Sequence, residues 1–452
     1  MIRNRDSLGG TDARELALAC VDAAVRAARP GRAVERAVSV DGDALRVDGA
    51  TYDLGAFDDV VIVGGGKAAA GLTRALVDAL DGRVADGVVV VPADEAGRAG
   101  PVELAPGGHP TPTAAGVAAT ERALDVLRAA DDRTLVLAPI TGGGSALLEA
   151  PAAGLGLDAV TDVTRALLDA GAPIGDVNAV RRHLSAVKGG RAAAAAAPAA
   201  VVGLLVSDVV GDDPAVVASG PTVPDGSAPA DAVDALDRHG VDAPAVRRHL
   251  RDAQPPPSAE GGAFDRVRNV VVADAGTALA AAAETARSRG ADARIVSERV
   301  VGEASRRGRE GAALARSVAA CGDAADGGAT VLLTGGETTV TVTGDGRGGP
   351  NTEYALAAAR DLAGADPDRD GDVGARIAVA AVDTDGRDGS TDAAGAVVDG
   401  DTLSGVGAAA ADAALADSDS LSLLESVGGA VVRTGATGTN VNDLRVHVVA
   451  PP

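Results

Sequence analysis

The sequence predicts an α/β fold built from two domains, and three features lead to this prediction. The chain has 452 residues, enough for two or three domains. Short apolar runs alternate with helical patterns along the chain, which is typical of parallel sheets covered by helices on both faces. Residues 254–262 combine three prolines with two glycines, which favours a linker. We therefore predict an N-terminal domain over residues 1–253 and a C-terminal domain over residues 263–452.

The elements of the predicted N-terminal domain follow in order. Asp12 is the expected cap of a first helix, with Glu15 three residues later and Pro30-Gly31 at its end. Uninterrupted apolar runs predict strands at residues 60–63, 88–91, 134–140 and 201–206. Helices are expected after the first strand to about residue 80 and over residues 113–130. The alanine-rich stretch 192–200 predicts a helix broken at Pro198.

The predicted C-terminal domain continues the pattern. Its expected strands lie at residues 270–273, 293–297, 330–334, 377–382, 430–433 and 446–449. Residues 338–343 alternate threonine with valine and predict one arm of an antiparallel hairpin.

Charge and composition exclude several classes of function. The formal net charge is −23 and only 1% of residues are aromatic, whereas nucleic-acid binding needs a basic surface and often stacking aromatic rings. The acidity also argues against an anionic membrane surface. A strongly acidic, solvated surface favours a cytoplasm of high salt concentration, where screening weakens most attraction between charges.

The two cysteines and the apolar runs point to a soluble protein of a reducing compartment. Cys20 and Cys321 are too few for a disulfide framework, and no Cys/His spacing suggests zinc. The first ten residues hold no apolar stretch, so no signal peptide is expected. The longest apolar run, residues 192–206, is too short and too broken for a membrane span. We predict a cytoplasmic protein.

Lysine is nearly absent, and its two positions are informative. Lys67 follows three glycines and Lys188 precedes two, while every other basic residue is arginine. A GC-rich genome explains the scarcity but not the positions. Lysine is a compact point charge that fits where the guanidinium fork does not, so both lysines are candidate site residues.

Five glycine-rich or polar loops follow predicted strands. In open α/β sheets, ligands bind beyond the carboxyl ends of the strands. One such loop alone is more simply explained as a tight turn, but five exceed what turns require. The loops are GGGK at 64–67, TGGGS at 141–145, SD at 207–208 with GDD at 211–213, TGGE at 334–337 and DTDGRDG at 383–389.

The chemistry of these loops is complementary. The loop 141–145 offers backbone N–H groups that suit phosphate oxygens. Lys67 adds a positive charge, and Asp208 and Asp212 offer the hard oxygens that Mg²⁺ prefers. These are the parts of phosphoryl transfer.

Two familiar nucleotide motifs fit less well. A Walker A loop requires Ser or Thr after its lysine, and Ala68 stands there. Residues 64–69 match the dinucleotide fingerprint G-x-G-x-x-A, with Asp94 beyond the next strand. That match favours an NAD(P)H-dependent reductase, but it leaves the other four loops unexplained.

A basic element between the loops is a candidate anion clamp. Within residues 178–191 the chain places Asn178, Arg181, Lys188 and Arg191, in an otherwise acidic protein. A solvated helix face is the simpler interpretation, whereas the functional one is a clamp for a carboxylate or phosphate.

Together these motifs resemble the two-domain glycerate kinases whose C-terminal half is called MOFRL. The resemblance runs nearly end to end. It rests on VGGGKAA at 63–69, GGHPTP at 107–112, TGGGSALLEAP at 141–151, NAVRRHLSAVKGGR at 178–191, SDVVGDDPAVVASGPTVPD at 207–225, GGETTVTVTGDGRGGPNTE at 335–353, DTDGRDGSTDAAGA at 383–396 and GATGTNVNDL at 435–444.

The resemblance implies ATP- and Mg²⁺-dependent phosphorylation of D-glycerate at its 2-hydroxyl. It also implies two Rossmann-like domains with mainly parallel sheets, an active site in the cleft between them, and a homodimer. The catalytic residues would be Lys67 and Asp208, with Asp208 either a base or, with Asp212, a magnesium ligand. The family's nucleotide or phosphate loop would be Gly142, Gly143 and Gly144 with Ser145, and the cleft residues of the second domain would be Glu337, Asn351, Asp385 and Asn442. The residues themselves add two expectations: the substrate contacts Ser145, Asn178, Arg181, Lys188 and Arg191, and the cofactor also contacts Gly64, Gly65 and Gly66.

The sequence departs from the family pattern at two positions, and it leaves two alternative activities open. The family usually has GGRNQE where this chain has Pro350 in place of the arginine, and Arg347 could supply that charge. Ala436 replaces a usual proline, which should only loosen a turn. Relatives labelled hydroxypyruvate reductase keep the reductase hypothesis open, and a kinase of another small hydroxy acid is the other alternative.

Overall fold

The computed structural model describes residues 1–321, 328–363 and 373–451. The chain divides into two compact units, which we call the N unit, Pro30–Val272, and the C unit, Met1–Arg29 with Ala273–Pro452. The first helix α1 (Asp12–Ala27) thus belongs to the C unit. It is capped by Thr11, which accepts the Arg14 N–H, one residue before the predicted cap at Asp12.

The boundaries of the units differ from the predicted ones for a physical reason. The segment 254–262 does not separate the units: the Pro257 carbonyl accepts the Asp225 N–H, and the following strand joins the main sheet of the N unit. Proline and glycine here mark a turn within a unit.

The N unit begins with a small antiparallel sheet that the sequence analysis did not predict. Its strands are β1 (Val38–Asp41), β2 (Ala44–Val47) and β3 (Ala50–Asp53). Gly42-Asp43 forms the first hairpin turn and Asp48-Gly49 the second, where Asp48 and Gly49 both have positive φ, 45° and 78°. Two-residue turns of glycine and aspartate are a sequence signal of tight hairpins. This signal could have predicted the small sheet.

The main sheet of the N unit has seven strands in the order β10-β9-β8-β4-β5-β7-β6. The pairings from β9 through β7 are parallel, and the edge strand β6 pairs antiparallel with β7. The predicted parallel sheet is therefore confirmed. Its strands are β4 (Asp59–Gly65), β5 (Val84–Pro92), β6 (Gly97–Ala99), β7 (Val102–Gly107), β8 (Thr134–Thr141), β9 (Ala200–Val206) and β10 (Val267–Ala273).

Helices cover this sheet and build a second cluster of apolar residues. Small side chains of α4 and α8 pack on the Val- and Leu-rich strands, while α6, α7, α9 and α10 share a separate apolar core. The helices of the N unit are α2 (Pro30–Ala37), α3 (Ala69–Leu80), α4 (Ala114–Ala129), α5 (Gly144–Leu147), α6 (Leu157–Asp169), α7 (Ile174–His183), α8 (Arg191–Ala196), α9 (Pro229–Arg238) and α10 (Pro244–Asp252).

The C unit contains a six-stranded sheet in the order β11-β12-β16-β13-β14-β15. Only β11 and β12 pair in parallel; the other four pairings are antiparallel, so this sheet is mixed. The uninterrupted apolar runs correctly predicted that these strands are buried, but they did not predict that most of them pair antiparallel. The strands are β11 (Asp292–Glu303), β12 (Thr330–Thr339), β13 (Ile377–Asp383), β14 (Gly395–Asp399), β15 (Val431–Val432) and β16 (Asp443–Val449).

The hairpin arm predicted at residues 338–343 does not form. Residues 338 and 339 extend β12, and the rest is irregular. The threonine hydroxyls make tertiary hydrogen bonds instead: Thr341 donates to Glu303 and Thr343 to the Ala416 carbonyl. The described helices that follow α1 in this unit are α11 (Ala275–Ser288), α12 (Ala304–Cys321), α13 (Pro350–Ala363), α14 (Ala408–Ala416) and α15 (Ser420–Val427).

Among the described helices, none combines the length and apolarity that a membrane crossing requires.

Candidate active site

The three glycines before Lys67 serve the packing of the sheet more than a ligand. Gly64 and Gly65 lie inside β4, and only Gly66, with φ of 137°, lies in the turn. A β-carbon at Gly64 would overlap the carbonyl oxygen of Pro139 on the neighbouring strand. These positions therefore stay small because adjacent strands approach closely, which differs from the predicted cofactor contact.

The backbone N–H groups of this turn are already used within the protein. Gly66 donates to the Val90 carbonyl at 3.1 Å, Lys67 to the Gly142 carbonyl at 2.8 Å, and Ala68 to the Thr141 hydroxyl at 3.0 Å. A dinucleotide-binding turn presents such groups to a pyrophosphate. Because they are satisfied here, the geometry disfavours the dinucleotide interpretation of residues 64–69.

Two candidate catalytic residues lie against neighbouring glycines of the loop after β8. A β-carbon on Gly142 would overlap the Asp208 carboxylate. A β-carbon on Gly143, which has φ of 78°, would come within 2.9 Å of Lys67 Cγ and 3.0 Å of His109 Cδ2. Lys67 follows β4 and Asp208 follows β9, and these two strands flank β8. The parallel sheet thus brings an ammonium and a carboxylate to one glycine loop.

A second hydroxyl, not predicted from the sequence, lies behind Ser145. The Ser145 and Ser219 hydroxyl oxygens are 2.8 Å apart, and Ser219 donates to Asn178 Oδ1 at 3.3 Å. Ser219 is fully buried and has a positive φ of 62°. Asn178, a predicted substrate contact, is itself 5% exposed. No local pattern in the sequence identifies Ser219, since its partners are 41 and 74 residues away.

Two cations of the predicted anion clamp, Lys188 and Arg191, bond to partners within the protein. The Lys188 side chain is 0% exposed, and its ammonium lies 2.5 Å from Glu149 Oε2. Arg191 donates to the backbone carbonyls of Arg182 and Lys188. Neither predicted substrate contact is therefore available to a ligand in this structure, because the folded chain supplies the partners.

Arg181 is the exception. It lines a cavity of about 190 Å³ together with Ser145 and Glu149. Among the residues that the structure describes, none forms a hydrogen bond or ion pair with its guanidinium. Burial lowers the pKa of Arg181 while the Glu149 carboxylate raises it, and a guanidinium stays charged at neutral pH. An open cavity lined by a guanidinium has the chemistry to accept an anion.

Magnesium would need oxygen ligands from outside the protein. Asp208 and Asp212 are both half-buried, and the described residues contain no group of three or more His, Cys, Asp or Glu that could hold a metal ion. One or two carboxylates, completed by phosphate oxygens and water, are the usual protein ligands of a nucleotide-bound Mg²⁺. The two aspartates fit that role and do not form a closed metal site.

The four candidate residues of the C unit lie at one edge of its sheet. Glu337 is near the end of β12, Asp385 follows β13, and Asn442 directly precedes β16, which runs antiparallel to both. Asn351 is buried at the start of α13, where its amide donates to Asp443 Oδ1 at 2.6 Å. Glu337 is exposed and Asp385 half-buried, so these two are accessible to a ligand while Asn351 is a structural contact.

The departure at Pro350 has a local explanation. Pro350 is the first residue of α13, a position where proline's fixed φ and missing N–H are favourable. Arg347, considered above as a replacement for the family arginine, has Glu425 as its ion-pair partner at 3.5 Å and lies 61% exposed. The pairing directs its charge toward Glu425.

Buried carboxylates near this edge have raised pKa values. Burial raises the pKa of Asp388 to about 6, against the opposing backbone hydrogen bonds from Asn351 and Thr352. Burial, together with the charges of Asp385 and Asp443, also raises the pKa of Asp383 well above its usual value. This edge is therefore a dense acidic cluster held by N–H donors.

These features define a two-domain α/β protein in which a lysine and an aspartate pack against a glycine loop, and in which Arg181 and Ser145 line a nearby cavity. Two family models match the chain. Residues 16–251 match a domain described as "Domain of unknown function (DUF4147)", and residues 330–443 match the MOFRL family.

Named relatives cover most of the chain. The glycerate 2-kinase of Pyrococcus horikoshii is 36% identical over 446 residues, 97% of this chain and 98% of the relative. A putative hydroxypyruvate reductase of Agrobacterium vitis is 38% identical, over 86% of this chain and 87% of its own length. The crystal structure of a glycerate kinase from Thermotoga maritima superposes with a TM-score of 0.83 at 33% identity, covering 96% of this chain and 99% of that one. The chain belongs to the two-domain glycerate kinase family, as its motifs predicted.

Proposed function

We propose that the protein is an ATP-dependent kinase that phosphorylates D-glycerate on its 2-hydroxyl. One observation carries the proposal: Lys67 and Asp208 lie against adjacent glycines of a single loop. Relatives named glycerate kinase from archaea, bacteria and mammals support it.

The residues of the N unit have distinct roles in this proposal. Arg181 binds the substrate carboxylate in the cavity that it shares with Ser145. Asp208 accepts the proton of the attacking hydroxyl or binds the metal. Lys67 neutralises charge that develops on the transferring phosphoryl group, an effect worth roughly 3 kcal/mol for one well-placed donor.

The N unit offers candidate contacts for the nucleotide phosphates and for the metal. The N–H groups of Gly144 and Ser145, which begin the short helix after Gly143, are the candidate donors to phosphate oxygens, since those of Ala146 and Leu147 bond the Gly143 carbonyl. Asp208 and Asp212 would hold Mg²⁺, which would screen the negative charge of the nucleotide phosphates. Within the C unit taken by itself, Glu337 and Asp385 remain accessible candidates for a ligand contact, whereas Asn442 is buried.

The reductase alternative has weaker support. Relatives named putative hydroxypyruvate reductase belong to the same family, but the N–H groups of the turn at residues 66–68 are satisfied by the protein itself. A coupled ADP-release assay with D-glycerate, ATP and Mg²⁺ in molar KCl, run beside NADH oxidation with hydroxypyruvate, separates the two activities. ADP release without NADH oxidation supports the kinase, and the opposite result overturns it. Phosphorus NMR of the product then distinguishes position 2 from position 3.

The cellular setting is part of the proposal. The net charge of −23 supports function in a cytoplasm of high salt concentration. Maximal activity at molar KCl, and loss of activity in dilute buffer, would support this setting, whereas salt-independent activity would argue against it. A homodimer is the expected assembly, and light scattering at the same salt concentration tests it.

A further inference from the structure

A hydrogen-bonded chain of three side chains ends at the wall of the Arg181 cavity. Ser145 lines the cavity, Ser219 lies behind it, and Asn178 lies behind Ser219. Ser219 is 0% exposed and Asn178 is 5% exposed, so water does not replace either partner.

The loop that carries Ser219 is held in an unusual conformation. Ala218, Ser219 and Gly220 have positive φ values of 51°, 62° and 63°, which residues with a side chain adopt only at an energetic cost. The Gly189 N–H bonds the Ser219 carbonyl at 3.1 Å, and the Gly190 N–H bonds the Gly220 carbonyl at 2.8 Å. The fold therefore holds the Ser219 hydroxyl at one place behind Ser145.

The chain has a direction, because its last member can only accept. The oxygen Oδ1 of Asn178 faces Ser219, and an amide oxygen has no hydrogen to donate. Ser219 has a single hydroxyl hydrogen and gives it to Asn178. Ser219 must then accept from Ser145, which uses its own single hydrogen in the 2.8 Å bond. Toward the cavity, the Ser145 oxygen can therefore only accept a hydrogen bond.

We infer that Ser219, acting through Ser145, makes the cavity selective for hydroxy acids that carry a second hydroxyl. Arg181 offers only donors and matches the carboxylate. Ser145 offers an acceptor and matches a hydroxyl that donates. One hydroxyl of the acid receives the phosphoryl group, and the other bonds Ser145. This inference rests on the proposed function, and Ser219 is a positioning residue because it acts through Ser145.

The test compares D-glycerate with D-lactate, which lacks the second hydroxyl. Ser219→Ala frees the Ser145 hydroxyl to rotate and donate. We expect kcat/KM for D-glycerate to fall about tenfold, the value of one neutral hydrogen bond. The inhibition constant of D-lactate against D-glycerate phosphorylation should change less than about twofold. Ser145→Ala should give the same pattern, and the double variant should lose no more than Ser145→Ala does alone.

A matched control removes a hydroxyl of equal burial elsewhere in the N unit. Thr120 is 0% exposed and bonds only the Gly116 carbonyl among the described residues. Thr120→Val should alter neither constant. If Ser219→Ala does not fold, Ser219→Gly removes the same hydroxyl, relieves the positive φ and carries the same expectation.

The outcomes separate this inference from the proposed function. Equal weakening of D-glycerate and D-lactate in the Ser219 variants would indicate a merely structural role and overturn the inference. Unchanged constants in both variants would overturn it as well. If the wild-type protein does not phosphorylate D-glycerate at all, the proposed function itself fails.

Discussion

The carboxylate of Asp208 occupies the space that a β-carbon on Gly142 would need. The two residues come from separate loops, after β8 and β9, and meet because those strands are parallel neighbours. The Asp208 carboxylate can therefore occupy its place only because residue 142 is glycine. A substitution at this position tests the placement of Asp208 separately from the stability of the fold.

Gly142→Ala should displace the Asp208 carboxylate while leaving the fold intact, since the displaced group is the end of a side chain. We expect kcat to fall at least about a hundredfold, because misplacing a catalytic group by roughly 1 Å costs that much. Steady-state kinetics and thermal unfolding measure the two effects.

Two alanine variants serve as controls for this prediction. Gly175→Ala adds a β-carbon that meets no atom within 4 Å and should leave activity unchanged. Gly64→Ala meets the rigid backbone of Pro139 and should lower the free energy of unfolding by about 1–3 kcal/mol. Normal turnover in Gly142→Ala would contradict the assignment of Asp208.

Lys67→Ala should lower turnover at least about a hundredfold, since an electrostatic donor to the transferring group is worth that factor. Lys67 is only half-buried, so the midpoint of thermal unfolding should change little. Kinetics at saturating D-glycerate and ATP, with circular dichroism as a check of folding, measure the effect. Near-normal turnover would show that Lys67 is not catalytic.

Breaking the buried ion pair of Lys188 and Glu149 should lower the free energy of unfolding. Glu149→Gln leaves an uncompensated ammonium in the core, and we expect a loss of about 3–5 kcal/mol in the free energy of unfolding. The double variant Glu149→Gln with Lys188→Met removes both charges and should recover most of that loss. Urea unfolding at constant KCl concentration measures all three proteins.

An exposed ion pair provides the control for that cycle. Arg32 and Glu35 are 67% and 62% exposed, so Glu35→Gln should cost less than about 0.5 kcal/mol. The free energy of unfolding lost in Glu149→Gln should exceed the loss in Glu35→Gln. An equal or smaller loss would show that Lys188 and Glu149 do not form a stabilising buried ion pair.

His447 should make stability fall as the pH is lowered. Burial, with a smaller contribution from Arg445, lowers the pKa of His447 to about 4, against about 6.5 in an unfolded chain. Between these values the unfolded chain binds a proton that the native protein does not, so acidification favours unfolding. His447→Gln removes this titration but keeps a polar partner for the Tyr354 hydroxyl, which lies 3.0 Å from His447 Nε2.

The stability of the wild type relative to His447→Gln should therefore decrease by about 2 kcal/mol from pH 7 to pH 5. Between pH 7 and pH 8 the difference should stay constant. Asp388 acts in the opposite sense, because its pKa is raised to about 6, and its contribution cancels in the comparison. Urea unfolding as a function of pH measures the difference, and a flat difference across the whole range would contradict the assignment.

Much of the N unit was predictable because its strands are buried on both faces. Uninterrupted apolar runs located β4, β5, β8 and β9, and the glycine-rich loops followed at their carboxyl ends. The direction of strands in the C unit was not predictable in this way, since an antiparallel strand covered on both faces has the same composition. The short strands β1–β3 were not predicted, although the turns Gly42-Asp43 and Asp48-Gly49 that join them are visible in the sequence.

The candidate site was predictable only in part, as the cations show. Lys188 and Arg181 look equivalent in sequence, seven positions apart. The structure pairs Lys188 with Glu149, 39 residues away, and leaves Arg181 at the cavity. Contacts between distant segments decide which of the two cations is neutralised. A local sequence pattern does not predict such contacts.

The sequence by itself determined the family, because its motifs resemble those of known members. It also determined the alternation of strands and helices and the loops that carry Lys67, Asp208 and the glycines, because these follow from local hydrophobic pattern and turn chemistry. Only the tertiary structure decided the boundaries of the two units, the packing role of Gly64, the burial of Lys188 and the chain from Ser145 through Ser219 to Asn178. Each of these depends on which distant residues fill the space around a side chain, and that is established only when the chain is folded.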